Sequence, residues 1–207
     1  MENNYVDGVI PSIQSEDKFM KKTRILGLLF AVVLCIVGCG SSAEIKVDTL
    51  SISGNGAATY TIISDFSEPY YNLEELKSMA QKEVEAYGTG VQISSAEVTD
   101  GVLKFQYTFD SLSHYSRFME TSCYQGTVAA ALANGYKADT KLTSAKGGSL
   151  TMSDSSIRER NLFIWNEEVA VRCDGSVVCY SENLSLSGKT DVQPKEGSVG
   201  PYYVVYK

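Results

Sequence analysis

The chain has 207 residues, with 18 lysines and arginines against 25 aspartates and glutamates and a formal net charge of −7. That balance lacks the basic footprint nucleic acid demands, so no nucleic-acid partner is expected, nor binding to an anionic bilayer by charge. One histidine and five cysteines, with no Cys-x-x-Cys pair, give no basis for a metal centre, and no cofactor is implied.

The elements begin with a leader. Lys18, Lys21, Lys22 and Arg24 precede a run from Ile25 to Val37 in which every residue is apolar or glycine. A charged patch, a short apolar run and then small residues is the layout of a secretory signal peptide. The run is well short of the ~20 apolar residues that span a bilayer. It also lacks the polar face of a surface-packed helix. It ends in Ile36-Val37-Gly38-Cys39, followed by Gly40-Ser41-Ser42. This tetrapeptide resembles the lipobox of bacterial lipoproteins. The resemblance implies cleavage before Cys39, a diacylglyceryl group on its sulfur, and anchoring on the extracytoplasmic face of the cell membrane. Two acyl chains hold stably where one is marginal, at ~0.8 kcal/mol per buried CH₂.

Residues 1–19 carry Glu2, Asp7, Glu16 and Asp17, which is unlike a signal n-region, whereas Met20-Lys21-Lys22-Thr23-Arg24 makes a good one. The natural start is therefore expected at Met20, with 1–19 a gene-model extension. Residues 20–38 are then the signal peptide, 39–44 a lipidated tether, and 45–207 one extracytoplasmic domain. Residues 1–38 hold as many basic as acidic side chains, so the mature part keeps the full negative charge.

Within the domain, 45–52 and 59–63 flank Ser53-Gly54-Asn55-Gly56 and read as a hairpin. Asn72 stands three residues before Glu75, and Leu73, Leu76, Met79, Ala80 and Val84 follow at helical spacing up to Gly88, which predicts a capped helix. Runs 91–98 and 102–109 flank Thr99-Asp100-Gly101. There Leu103, Phe105, Tyr107 and Phe109 alternate with polar residues, predicting a second hairpin with one buried face. Short helices are expected over 111–120 and 127–133. Strands are expected at 139–144, 161–165, 169–173, 177–180 and 202–206, with loops at 146–156 and 188–200. Hairpins separated by helices indicate an α+β fold with a largely antiparallel sheet.

The stretch from Thr49 to Gly88 resembles a loose group of short lipoproteins of clostridial Firmicutes. The shared features are Thr59-Tyr60-Thr61-Ile62-Ile63-Ser64-Asp65-Phe66, Tyr70-Tyr71 and Asn72-Leu73-Glu74-Glu75-Leu76, with Tyr202-Tyr203-Val204-Val205-Tyr206-Lys207 at the other end. The resemblance implies a Gram-positive source and the same address. It carries no site.

Chemistry is sparse. His114 is the one histidine, so a serine or cysteine nucleophile would have to use it, with Cys123 near in sequence. No nucleophile-elbow pattern surrounds any serine. The pairs Glu74/Glu75 and Glu83/Glu85 fall on a solvated helix and Glu167/Glu168 in a hairpin turn, not across a cleft as glycosidase acids do. Gly188-Lys189-Thr190 lacks the glycine of a P-loop at position 183. Asp174-Gly175 predicts a tight turn that puts Cys173 and Cys179 on opposite faces of a ribbon, where they cannot bond. Tyr70, Tyr71, Tyr202 and Tyr203 remain as the candidate binding surface for a protein, peptide or glycan. The expected function is a non-enzymatic, lipid-anchored binding module of the envelope. The rival is a small hydrolase using His114 with a serine or Cys123.

Overall fold

The computed structural model describes residues 44–207. The leader, Ile36, Val37, Gly38, Cys39 and the tether up to residue 43 lie outside the described residues. Among the described residues no helix is long and apolar enough to cross a membrane.

Strands β1 (Thr49–Ile52) and β2 (Ala58–Asp65) form the first antiparallel hairpin. Helix α1 (Leu73–Tyr87) follows, and the Asn72 carboxamide oxygen accepts hydrogen bonds from the Glu74 and Glu75 amides at its start. Ala80 and Val84 are buried, whereas Met79 is 47 % exposed. The apolar stripe is centred between positions 76 and 80, and Met79 lies about 80° round the helix from that centre. Strands β3 (Val91–Thr99) and β4 (Val102–Phe109) make the second hairpin. Asp100 and Gly101 both take positive φ, 51° and 75°, the mirror-image turn that matches strand twist.

Helix α2 (Leu112–Phe118), strand β5 (Cys123–Thr127) and helix α3 (Val128–Ala133) come next. Strands β6 (Lys141–Ser144), β7 (Ser149–Thr151) and β8 (Asn161–Trp165) follow, with one 3₁₀ turn at Ser155–Ile157. The chain closes through β9 (Ala170–Cys173), β10 (Val177–Ser181), β11 (Leu184–Ser187), β12 (Asp191–Pro194) and β13 (Tyr202–Tyr206).

The fold is α+β, with two mostly antiparallel sheets. The first has the order β11-β12-β9-β1-β2-β4-β3, and the second β5-β8-β13-β10-β6-β7. Among the described residues only β1 and β9 pair in parallel. Leu50, Phe105 and Phe109 of the first sheet share one apolar core with Phe163, Trp165, Val204 and Tyr206 of the second. The alternate residues Leu162, Ile164, Cys179 and Val205 point the other way and form a smaller core with α3 and the 3₁₀ turn. Being covered on both faces is why β8 and β13 read as nearly unbroken apolar runs.

Three expectations are corrected here. The segments 146–156 and 188–200 are not plain loops, since they contain β7 and β12. Residues 173–179 do not form a hairpin either, because β9 belongs to the first sheet and β10 to the second. Glu167 and Glu168 likewise sit on a crossing between sheets, from β8 to β9, and not in a hairpin turn.

Candidate functional site

A groove forms where α2 folds back against β5. Ser111 caps the helix, its hydroxyl accepting from the His114 amide, and the Leu112 amide donates to the Gly56 carbonyl, tying α2 to the β1–β2 turn. Leu112 and Tyr115 turn into the core. That leaves Ser113, Ser116 and Arg117 lining the groove together with Cys123, Tyr124 and Gln125 of β5. The groove encloses about 710 Å³. At one end the Gln125 carboxamide donates to the Ser53 carbonyl at 3.1 Å and to the Tyr206 hydroxyl at 2.8 Å, which holds β5 in place.

Strand β5 is an edge. It pairs with β8 along one side, from Cys123 opposite Trp165 to Thr127 opposite Asn161. An edge strand presents main-chain donors and acceptors along its other side, and natural folds usually blunt such edges with lysine, proline or a bulge. The edge strand β3 carries a bulge between Ile93 and Ser95, and β7 is only three residues long. Cys123–Thr127 has neither device.

His114 and Cys123 have different hydrogen-bond partners. The Tyr87 hydroxyl and His114 Nδ1 share a hydrogen bond of 2.9 Å, and Gly90 packs against the other side of the imidazole. Cys123 Sγ is 3.1 Å from the Ser116 hydroxyl. Ser116 is two residues beyond His114, about 200° round the helix, so the two side chains leave α2 on opposite sides. Burial pushes the Cys123 thiol up from its ordinary range, the Ser116 bond opposes this, and the nearby Glu167 carboxylate adds to it. A thiol held that way is a poor nucleophile. Glu167 is itself half-buried. Burial raises its carboxyl, and hydrogen bonds from Thr121 and Tyr115 pull the other way.

The four tyrosines do not form one surface. Tyr70 and Tyr71 are exposed, at 74 % and 44 %, whereas Tyr202 is 1 % exposed and donates its hydroxyl to the Ser198 carbonyl. Tyr203, the next residue of β13, faces the smaller core. Tyr202 is therefore unavailable to a partner, and its neighbour points the other way. Among the described residues, no group of three His, Cys, Asp or Glu side chains is placed to hold a metal ion.

Sequence reasoning missed Ser116, Arg117, Gln125 and β5 itself. Cys-Tyr-Gln-Gly-Thr is a short run with a glycine and no clear alternation, too weak a strand signal to stand alone. No family model, no curated protein and no solved structure matches the chain.

Proposed function

We propose that the chain is a lipid-anchored extracytoplasmic envelope protein whose domain binds an extended peptide by adding it as a strand to β5. The open edge of β5 beside the α2 groove carries this reading. Strand addition uses main-chain hydrogen bonds for affinity and side pockets for specificity. The groove offers both: an edge on one wall and the hydroxyls of Ser113 and Ser116 with the Arg117 guanidinium on the other. A glycan would want exposed ring faces, and the groove's one aromatic side chain, Tyr124, is packed on Tyr136 at 5.0 Å. The leader ending in Cys39 supports the anchored, extracytoplasmic setting.

Peptides selected by display on the full chain test this directly. A strand-adding peptide should lose at least tenfold in affinity when every second residue is N-methylated, and little when the alternate set is methylated. Ser113→Trp, which fills the groove from the exposed side of α2, should abolish binding. Selected peptides indifferent to both changes would sink the proposal.

A further inference from the structure

Seven large apolar side chains are exposed among the described residues; Tyr70, Tyr71 and Val102 lie at one end of the first sheet, while Val98, paired with Leu103, is on the face opposite Val102. Register brings them there. Asp65, the last residue of β2, pairs with Val102, and Val102 pairs on its other side with Thr99. The Phe66 amide donates to the Gly101 carbonyl at 2.7 Å, which ties the segment after β2 to the β3–β4 turn. The Tyr71 ring then packs on Phe66 with centroids 5.0 Å apart, and the Tyr70 ring stands edge-on to Tyr71 at 4.9 Å. These rings are already ordered against one another, so a partner meets a formed aromatic surface at small entropic cost.

The surrounding charge is one-sided. Asp65, Glu68 and Asp100 lie in the same loop and turn, and Glu74 and Glu75 stand in the first turn of α1. The lysines nearby are matched: Lys77 is bonded to Glu74 at 3.0 Å, and Lys104 stands opposite Glu97 across β3 and β4. An anionic lipid surface would be repelled by this rim, whereas ammonium and guanidinium groups are attracted both to carboxylates and to ring faces.

We infer that this end of the first sheet is a docking surface for a cationic extended segment, a lysine- or arginine-bearing peptide of another envelope protein. Tyr70 and Tyr71 take its aliphatic stems and cationic heads, with Glu68 and Asp65 as counter-charges. The surface is distinct from the α2–β5 groove and stands or falls separately from it.

The test uses the full chain in zwitterionic detergent, titrated with hexalysine. Tyr70→Ala with Tyr71→Ala should weaken hexalysine at least tenfold, about 1.4 kcal/mol, with the chain still folded, since Tyr70 is 74 % and Tyr71 44 % exposed. Tyr70→Ala alone, the more exposed change, should weaken it in the same direction should the double variant fold poorly. Glu68→Gln should cost a few-fold. Equal affinity in the tyrosine variants would overturn the inference. So would tighter binding to vesicles containing anionic lipid than to hexalysine, or loss of hexalysine binding on Ser113→Trp.

Discussion

Gly90 and His114 form a steric pair at the junction of α1, β3 and α2. Gly90 has φ of +90°, and a Cβ there would lie 2.5 Å from His114 Nε2. Gly90→Ala should cost about 2–3 kcal/mol, part backbone strain and part overpacking. In a His114→Ala background the overpacking disappears and the cost should fall to about 1 kcal/mol. A double-mutant cycle in urea measures this, and equal costs in both backgrounds would refute the contact. Glu167 gives a pH signature. Burial raises its carboxyl in the folded chain, so the folded state binds that proton more tightly than the unfolded state does. Stability is therefore lost as pH rises from the ordinary carboxyl range through the raised folded value. Glu167→Gln should shrink the fall in melting temperature as pH rises from the ordinary carboxyl range towards neutrality. Asp48, raised by burial in the same direction, keeps part of that slope in the variant. An unchanged slope would clear Glu167 as its source.

Local chemistry is enough for the elements that the sequence reveals. The Asn72 carboxamide satisfies two of the orphan amides of α1, and Asn72→Ala should lower stability by about 1 kcal/mol in urea melts. A change within error would mean that tertiary packing alone sets the helix start. The β3–β4 hairpin is legible for a similar reason, since alternation and Asp100-Gly101 act within a dozen residues. Where local and non-local demands compete, the non-local one wins. Asp174-Gly175 invites a hairpin, yet β9 pairs with β1, setting Val171 and Cys173 beside Leu50 and Ile52 in the core. Strand β12 escapes detection because its run ends in Pro194, which weakens a strand signal. The groove was invisible for the same reason: β5 is a strand only because β8 is there to pair with it.

At the scale of the molecule, the cysteines report the two-core arrangement. Cys173 lies in the core between the sheets and Cys179 in the smaller one, and neither is bonded. They are unbonded because they belong to different sheets, not because they sit on opposite faces of one hairpin. Alkylation of the native protein should modify Cys123 first and reach Cys173 and Cys179, 3 % and 0 % exposed, only on unfolding. A linked Cys173–Cys179 peptide in most molecules would contradict this arrangement. Anchoring is tested separately: Cys39→Ala should release the protein from the membrane fraction or leave it uncut, and an alkyne fatty acid should label only the unaltered chain. Label on the variant would overturn the lipid anchor. What the sequence by itself determined are features whose physics is local: the capped helix, two hairpins, the alternating face of β4 and the α+β class that their order implies. Periodicity, capping and turn chemistry act over a few residues, so they can be read in one dimension. Only the tertiary structure decided that β9 and β10 part into different sheets, that Tyr202 is buried while Tyr70 is exposed, and that β5 edges a groove. Each of those depends on which distant strand offers the larger apolar face to cover, and no short stretch of sequence contains that comparison.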